Sequence, residues 1–447
     1  MVPESRPSVR VVVVNFNAGE LLLRCFQHLV QTEWPSDALE LVLVDNGSSD
    51  DSSARVIEAF PSVRLIRSPR NIGFGGANNL ALGDLTGVDF IALVNPDAFV
   101  DPGWLQPLVE AVKDGDRVGA ANPKIVFDAQ YAIVDVEAEA WSPGPSDRRT
   151  LGIQIATVHR DGDDVWDAVV FGEGFHAFEA SPTAPHFRWS GARATLGLPI
   201  PRDDRGPFVF ELGLGEPRKD AVFHPNHGLP VTVPADEGQA RIALKGPGTD
   251  VINSAGGTLV DGAYGADRCA DEFDAGQCDD PAEIFAWTGA AVLLSAEYLR
   301  DVGLFDASFF LYSEDFDLSW RGRLRGWTYR YVPESRVRHI QGAIIGRRSA
   351  TADHYAHRNA LLAMVKSAPG SVARREFRAY LDDLKTFVTV EIVRPLRRGQ
   401  RPQPLFARRR FRVVMGFLVH LPSALRKRRT IGRRALRDRA EVLRSAP

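Results

Sequence analysis

Four short, largely apolar runs divide residues 8–127: VVVVNF at 11–16, LVLVD at 41–45, VRLI at 63–66 and FIALVN at 90–95. Apolar runs of this length are typical of strands that are buried on both faces of a parallel sheet. The intervening segments 20–32, 52–60 and 73–83 are each long enough for a crossover helix. The alternation of strand and helix therefore predicts an α/β fold with a doubly wound sheet.

The pattern changes twice further along the chain. Residues 130–250 contain short β-type runs separated by Gly, Pro and Asp, which predicts an inserted all-β sandwich. Trp189 of this insert either lies in the sandwich core or is exposed and stacks on a ligand ring. Mixed α/β sequence resumes afterwards, so we expect residues 1–129 and 251–365 to form one domain. Residues 366–447 are predicted to form basic amphipathic helices.

The composition is that of a globular protein, since 44% of the 447 residues are hydrophobic and 25% are charged. No apolar run reaches the ~20 residues that cross a bilayer, and the N-terminus has no apolar signal segment. Three cysteines, Cys25, Cys269 and Cys278, are too few for a disulfide framework and lack the paired spacing of a zinc site. These features predict a protein of the reducing cytoplasm.

Charge is distributed unevenly along the chain. The formal net charge is −3, yet residues 366–447 contain 22 Lys and Arg against 6 Asp and Glu. Basic clusters flank the apolar run at 411–421, and this combination suits an anionic membrane surface. The alternative is a solvated helical pair packed on the α/β domain. Nucleic acid is not expected as a partner, because no recognised binding motif accompanies the charge.

Two carboxylates and a histidine follow predicted strands, where ligands bind in a doubly wound sheet. Asp45 is either a turn or helix-cap carboxylate or an acceptor for the base or ribose of a ligand. Asp97 either forms an ordinary Asp turn or holds a hard cation that bridges a diphosphate. His339 follows a β-type run at 328–332 and is surrounded by cations; it is either a structural histidine or a group near a diphosphate or metal.

Two further segments carry candidate chemistry. NIGFGGANN at 71–79 is a Gly-rich start to a helix, either a tight turn or a phosphate-binding loop. FFLYSEDFDLSWR at 309–321 places three acids among aromatic residues. Glu314 and Asp317 share a helical face, whereas Asp315 is free to face a pocket. A carboxylate beside apolar rings can have a raised pKa and act as a general base, although acids also favour helix N-termini for electrostatic reasons.

Together these motifs resemble the family 2 glycosyltransferases with a GT-A (Rossmann-like) fold, in particular the bacterial rhamnosyltransferase-like branch. The resemblance covers about residues 8–127 and 251–360. It is carried by VVVVNFN at 11–17, VDNGSSD at 44–50, NIGFGGANN at 71–79, VNPDA at 94–98, INSAGG at 252–257, WTGAAVLL at 287–294, VGLFDASFFLYSEDFDLSWR at 302–321 and the closing Tyr355 with Arg358-Asn359.

The resemblance implies an inverting, metal-dependent transfer of a sugar from a nucleotide-diphosphate donor. Asp315 matches the catalytic base and Glu314 its acidic neighbour, and Trp320 and Trp287 are expected on the acceptor side, with Trp320 either lining the acceptor pocket or forming part of the helix behind it. Asp97 and His339 would bind Mg²⁺ or Mn²⁺; the motif Asn95-Pro96-Asp97 has one acid where the family's DxD-type motif has two. The donor would contact Asn15, Asn17, Asp45, Asn71, Gly73, Asn78 and Asn95.

The same resemblance suggests L-rhamnose from a dTDP donor, a glycan or lipid-linked acceptor in cell-surface polysaccharide synthesis, and peripheral attachment to the inner face of the plasma membrane. The insert at 130–250 is expected to bind carbohydrate. Two other classes stay open. A non-catalytic glycan-binding protein on the same scaffold is disfavoured because both Asp97 and Asp315 are present. A nucleotidyltransferase is disfavoured because the first strand is followed by NFNAG at 15–19, which contains no cation.

Overall fold

The computed structural model describes residues 6–144, 147–179, 186–216, 219–260, 263–340 and 350–447. The chain divides into two compact units. The first comprises Met1–Ile125, Ser254–Arg268 and Cys278–Pro447, and the second comprises Val126–Asn253 and Cys269–Gln277.

The N-terminal segment alternates strands and helices as predicted. Its elements in chain order are β1 (Val9–Asn15), α1 (Glu20–Leu29), β2 (Leu39–Asp45), α2 (Ser52–Ala59), β3 (Arg64–Arg67), α3 (Phe74–Leu82), β4 (Phe90–Val94), β5 (Ala98–Val100), α4 (Leu105–Lys113) and β6 (Val118–Phe127). The four predicted strands and the three predicted helices are all present. The α/β fold class is therefore confirmed.

Strands β3, β2, β1 and β4 lie side by side and run parallel. The helices pack on them because apolar side chains recur with helical spacing: Leu22, Cys25, Phe26 and Leu29 of α1 are all fully buried. The pairing register sets Asn15 opposite Asp45. Because parallel strands present their carboxyl ends at one edge of the sheet, the polar residues that follow β1, β2 and β4 are brought to that edge.

The second unit is an antiparallel β-sandwich, which confirms the predicted all-β insert. Its core contains Val134, Leu196, Ile155 and Phe210, drawn from both of its sheets. Trp189 is only 6% exposed and lies in a buried cluster, so of its two interpretations the structure supports the core position. The strands are β7 (Gln130–Ala138), β8 (Gln154–Arg160), β9 (Asp163–Asp164), β10 (Val170–Phe171), β11 (Arg188–Trp189), β12 (Arg193–Ile200), β13 (Phe208–Leu214), β14 (Ala221–Pro225), β15 (Val231–Val233) and β16 (Gln239–Leu244).

The rest of the chain adds short strands and then helices. The strands are β17 (Val251–Ser254), β18 (Gly257–Val260), β19 (Tyr264–Asp267), β20 (Glu272–Phe273), β21 (Ala282–Glu283), β22 (Ala291–Ser295) and β23 (Thr328–His339). The helices are α5 (Ala296–Val302), α6 (Glu314–Leu324), α7 (Ala350–Ser367), α8 (Gly370–Val388), α9 (Arg394–Arg397), α10 (Leu405–Arg434) and α11 (Arg439–Arg444). Strand β22 is antiparallel to β4, and β23 is antiparallel to β5.

The predicted basic helical tail at 366–447 is present as α8 to α11. Helix α10 packs on α7 through Val413, Val414 and Phe417, which form a buried cluster with Leu361 and Leu362. The tail is thus part of the first unit and packs on α7 through an apolar cluster. Within the described residues, no helix has the length and apolarity that crossing a membrane requires.

The cysteines differ from expectation. Cys269 and Cys278 are disulfide-bonded, and Cys25 is free and buried. Three cysteines are too few for a framework of several disulfides, as the sequence indicated, but the sequence did not predict this one bond. Spacing along the chain does not show whether two thiols meet in the fold.

Candidate active site

Asn15 ends β1 and is fully buried. Its Nδ2 lies 2.8–3.1 Å from the hydroxyl oxygens of Ser48, Ser52 and Ser53. Its Oδ1 accepts a hydrogen bond from the backbone N–H of Ala18. The amide therefore holds the loop after β2 and the start of α2 against the end of β1. Both polar atoms of the Asn15 side chain are used in these hydrogen bonds. Asn15 therefore supports the loops of the site and does not present its side chain to a nucleotide-sugar donor.

Asp45 is half-buried beside Asn15 in the parallel register. Its Oδ1 accepts a hydrogen bond from the N–H of Ser48 at 3.0 Å, which is the turn role. Within the described part of the chain, Oδ2 has no hydrogen-bond partner, so one acceptor stays available to a ligand. The exposed Asn17 accepts hydrogen bonds from the backbone of Ser49 and Asp50, and so orders the neighbouring loop.

The Gly-rich loop is docked on the segment that precedes the SEDFD motif. Asn71 Oδ1 accepts from Asn46 Nδ2 at 3.0 Å and from Gly73 N at 2.9 Å. Gly73 has a φ of +80°, and a Cβ there would lie 2.6 Å from the Cα of Phe310. The next residue, Phe74, donates its N–H to the carbonyl of Phe310 at 2.8 Å. Only glycine allows this approach. Sequence reasoning missed Asn46, although it lies within the VDNGSSD motif.

Asn78 does not reach the site. It is 1% exposed, and its Nδ2 donates to the carbonyl of Phe74 in its own helix at 3.0 Å. Its predicted role in donor binding is therefore corrected to a structural one. The neighbouring Asn79 was overlooked: it donates to the carbonyl of Phe305 and accepts from the N–H of the same residue. This pair of bonds ties α3 to the segment between α5 and α6.

Asp97 and His339 are brought together across 242 positions of sequence. Strand β23 pairs with β5 so that His339 lies opposite Ala98. His339 Nε2 is then 3.2 Å from Asp97 Oδ1, and both side chains are about 6% exposed. The predicted combination of these two residues is thus geometrically present.

The pair fits a divalent cation only in part. A carboxylate oxygen and an imidazole nitrogen this close can share one cation whose other positions are filled by ligand oxygens. In the described ranges, no group of three or more His, Cys, Asp and Glu side chains could hold a metal ion. A cation here would therefore depend on oxygens from a ligand such as a diphosphate.

The loop before α6 has an unusual backbone. Phe310, Tyr312 and Ser313 have φ values of 67°, 65° and 64°. This left-handed region costs a non-glycine residue of the order of 1–3 kcal/mol, and it concentrates at functional sites. Nothing in the local sequence pattern reveals it, because none of the three residues is one that favours this conformation.

Asp315 is the half-buried acid of the motif. Its Oδ2 accepts from the N–H of Gly289 at 2.9 Å and its Oδ1 from the N–H of Phe316 at 2.7 Å. Burial raises the pKa of this carboxyl above its ordinary value. The next residue after Gly289, Ala290, accepts from the N–H of Asn95. The segment 289–290 therefore connects Asp315 to the half-buried Asn95, at the end of β4 that leads to Asp97.

Glu314 lies deeper than its neighbour. It is 5% exposed, and its Oε2 has no hydrogen-bond partner among the residues that the structure describes. Burial and the adjacent Asp315 carboxylate raise the pKa of Glu314 well above its ordinary value of 4.5. The helix dipole explains why acids occur at the start of a helix, but it does not explain why two neighbouring acids have raised pKa values. Raised pKa values of this kind are common at functional sites.

Asp317 has a separate, structural role. It is fully buried, with Oδ2 2.9 Å from Arg321 Nε and Oδ1 2.6 Å from Lys366 Nζ. Lys366 also contacts Asp306 at 2.7 Å. This ion-pair chain fixes α6 against α7.

The two tryptophans predicted on the acceptor side are buried. Trp320 is 0% exposed, and its ring packs edge-on against Phe285 and Phe316. Trp287 is 1% exposed and packs against Phe305. Neither ring can stack on a sugar from this position. The direct acceptor role is corrected, and for Trp320 the second expectation, a place in the helix behind the pocket, is the one observed.

Arg358 and Asn359 of α7 bind the left-handed loop, the segment 309–313 before α6 that contains the positive φ values. Asn359 Nδ2 lies 2.7–2.9 Å from the carbonyl oxygens of Phe309, Leu311 and Tyr312. Arg358 donates to the Phe309 carbonyl as well, and to the Asn359 amide oxygen. The sequence motif that contains them was recognised, but their partners were not, because these lie about 50 residues away.

The fold and the site geometry together define a class of enzyme. A mixed sheet with parallel strands, polar side chains at their carboxyl ends and an acidic helix start connected to that edge is the GT-A fold of glycosyltransferases. Residues 10–163 match the model of the Glycosyl transferase family 2, and residues 272–343 match the model of the Glycosyl transferase family group 2. The chain belongs to the family 2 glycosyltransferases.

Relatives support this assignment over part of the chain. The N-acetylglucosaminyl-diphospho-decaprenol L-rhamnosyltransferase of Mycobacterium tuberculosis is 32% identical over 126 residues, covering 26% of this chain and 40% of that protein. The succinoglycan biosynthesis protein ExoO of Rhizobium meliloti is 33% identical over 123 residues, covering 27% and 33%. The match thus spans well under half the length of these curated relatives.

Solved structures with distant similarity include two complexes. GalNAc-T7 with UDP, GalNAc and Mn²⁺ is 15% identical, with a TM-score of 0.42 over 81% of this chain and 48% of that one. The mannosyltransferase PcManGT from Pyrobaculum calidifontis, in complex with GDP-Man and Mn²⁺, is 13% identical, with a TM-score of 0.41 over 96% and 86%.

Proposed function

We propose that this glycosyltransferase inverts configuration at the sugar and that Asp315 is its general base. The observation that carries the proposal is the setting of Asp315: a half-buried carboxyl of raised pKa, held by the N–H groups of Gly289 and Phe316, beside the end of β4. A hydroxyl is a poor nucleophile at neutral pH, so a base within hydrogen-bond reach must take its proton as the new bond forms.

Asp315 suits this step better than Glu314. A base must reach the acceptor, and Glu314 is 5% exposed whereas Asp315 is partly open. The two N–H donors fix the Asp315 carboxylate in one orientation, and its raised pKa makes it a stronger base than an ordinary aspartate. The Asp315 carboxylate in turn contributes to the raised pKa of Glu314. Attack opposite the leaving diphosphate inverts the configuration.

Asp97 and His339 are proposed as the protein ligands of a divalent cation, Mg²⁺ or Mn²⁺. When bound, such a cation would stabilise the charge that develops on the departing diphosphate. The chain's own contribution is to hold both ligands in a buried pair, 3.2 Å apart, at the sheet edge. The half-buried Asn95, two residues before Asp97, lies on the same edge and is proposed to contact the donor.

The donor is proposed to be a nucleotide-diphosphate sugar, with dTDP-L-rhamnose the leading candidate and a glycan or lipid-linked acceptor. The name of the Mycobacterium tuberculosis relative supports both the sugar and the lipid-linked acceptor. The free Oδ2 of Asp45 is the group proposed to accept a hydrogen bond from the nucleoside. Asn17, Asn71 and Gly73 are proposed to shape the surrounding loops.

Helix α10 is proposed to attach the protein to the inner face of the plasma membrane. Its sequence contains ten Lys and Arg and no Asp or Glu. Phe411, Met415, Leu418 and Val419 are 44–72% exposed on it, and their spacing places them along one face. Arginines precede and follow this apolar face along the helix, as expected for binding at an anionic interface.

The sandwich unit remains a proposed carbohydrate-binding module. Its Trp166 and Trp189 are 2% and 6% exposed, so sugar contacts would have to come from other side chains.

The experiment that tests the proposal is donor hydrolysis across a panel of nucleotide sugars, with Mg²⁺, with Mn²⁺ and with EDTA. Asp315→Asn should abolish turnover while donor binding survives. Asp97→Asn should weaken metal-dependent donor binding. The exposed Asp116→Asn, which carries the same chemical change, serves as a control and should match wild type. A folded wild-type protein that binds no donor would overturn the proposal and favour a non-catalytic glycan-binding role. Pyrophosphate release would favour a nucleotidyltransferase.

A further inference from the structure

A cavity of about 580 Å³ lies within the first unit, next to α6 and away from the Asp315 carboxylate. One wall is apolar and includes Val302, Leu304 and Phe305 from the end of α5 and the segment after it. The opposite wall is the C-terminal half of α10. Six cations line the cavity: Arg321, Arg325, Lys366, Arg426, Lys427 and Arg434.

The charges around this cavity do not balance. Among the described residues, three carboxylates, Asp301, Asp306 and Asp317, form ion pairs with four of the six cations, namely Arg321, Arg325, Lys366 and Lys427. Three positive charges are therefore left without a counter-charge. Clustered like charges of this kind are costly unless a bound anion neutralises them.

The unneutralised charge lies on α10 at the rim. Arg426 is exposed, and its guanidinium group makes no hydrogen bond or ion pair within the described ranges. Arg434 donates to a neutral group, the carbonyl of Asp301. The deeper cations are already occupied: Lys366 is 2% exposed and is held between Asp306 and Asp317. The buried part of the cavity lining is thus a structural ion-pair chain. The guanidinium groups of Arg426 and Arg434, at the exposed rim, are the ones offered to a ligand.

We propose that this cavity binds a phosphate or diphosphate group that carries an apolar chain. Two guanidinium groups suit phosphate oxygens, which they can bind in a bidentate manner. The apolar wall suits a hydrocarbon chain, and an inorganic ion would leave this wall without a partner. Helix α10 also carries the proposed membrane-binding face, so a lipid can reach the cavity without leaving the bilayer surface.

The inference rests on the proposed function and adds a lipid-phosphate site to it. Arg321 shares a face of α6 with its ion-pair partner Asp317, whereas Asp315, two residues before Asp317, points to another side of the helix. The cavity is therefore a site separate from the general base.

The test compares two double variants on one helix. Arg426→Glu with Arg434→Glu alters the cavity rim. Arg429→Glu with Arg433→Glu makes the same charge change at exposed positions outside the cavity lining. Binding of inorganic pyrophosphate and of farnesyl diphosphate is measured by calorimetry, without vesicles and without divalent cations. Circular dichroism and thermal melting establish that each variant is folded.

We expect farnesyl diphosphate to bind wild type at least tenfold more tightly than pyrophosphate. Its affinity should fall at least tenfold in the cavity variant and less than threefold in the control variant. Equal loss in both variants, or no binding to folded wild type, would overturn the site. Equal affinity for the two probes would overturn the apolar part of the proposal. Failure of the proposed function is distinguishable, because it would show as absent donor hydrolysis in wild type.

Discussion

Replacing Asn359 by Leu should weaken both the stability of the protein and its turnover. The side chain of Asn359 donates to carbonyl oxygens of the loop 309–312, and a leucine side chain has no donor to offer them. Leucine has the same branched arrangement of side-chain heavy atoms as asparagine, with bulkier methyl groups, so the change removes the hydrogen bonds while keeping the shape of the side chain. Phe309 keeps a second donor, Arg358, whereas the bonds from Asn359 to Leu311 and Tyr312 are lost.

The size of the effect follows from these bonds. Nδ2 has two hydrogens, so it makes two good hydrogen bonds at a time, and each buried carbonyl left unsatisfied costs about 1–3 kcal/mol. We therefore expect the free energy of unfolding to fall by about 2–5 kcal/mol. Phe310 and Tyr312 of this loop, and Ser313 directly after it, have φ angles in the left-handed region. Once released, it should relax and shift the start of α6, and a displacement of about 1 Å at Asp315 can cost roughly 100-fold in rate.

The assay pairs urea denaturation with donor hydrolysis under saturating donor. Asn226→Leu is the matched control, because Asn226 is exposed and its side chain makes no hydrogen bond within the described residues. The control should stay within about 0.5 kcal/mol of wild type. If Asn359→Leu also stayed within that range and kept full turnover, the loop would not depend on α7 and the reasoning would be refuted.

Three further predictions concern buried groups. Glu314 has a pKa raised above 4.5 in the folded state, so the folded protein retains a proton that the unfolded chain releases; stability should fall as pH rises above 4.5. Glu314→Gln should remove this slope in denaturation measured at pH 5 and pH 8, and an unchanged slope would contradict the assignment. Gly73→Ala should lower both the melting temperature and turnover, because its Cβ would lie 2.6 Å from the Cα of Phe310; wild-type melting would disprove this contact. Burial raises the pKa of the Cys25 thiol, so a thiol reagent should modify it only after unfolding, and rapid labelling of the native protein would show that Cys25 is accessible.

Local patterns were sufficient for the fold class and for the selection of several candidate site residues. The apolar runs at 11–16, 41–45 and 90–95 read as strands because burial on both faces of a parallel sheet requires apolar residues at successive positions. Asp97 and Asp315 could be singled out because the end of a strand and an acid cluster among aromatics are visible in the sequence. The basic tail was visible from composition alone.

Long-range contacts were not accessible in the same way. Asn78 and Asn79 are neighbours of the same type, yet one bonds within its own helix and the other to Phe305, 226 positions away. Trp320 and Trp287 resembled sugar-stacking residues until packing placed both rings out of reach of solvent.

The alternation of strands and helices, the acidic motif and the charge of the tail thus follow from residues close together in the chain, because periodicity and composition act locally. The pairing of His339 with Asp97, the support of the left-handed loop by Asn359 and the excess of positive charge around the cavity are decided only in the folded molecule. Each depends on which distant groups meet, and burial then determines whether a polar or charged side chain is satisfied, has a shifted pKa or stays available to a ligand.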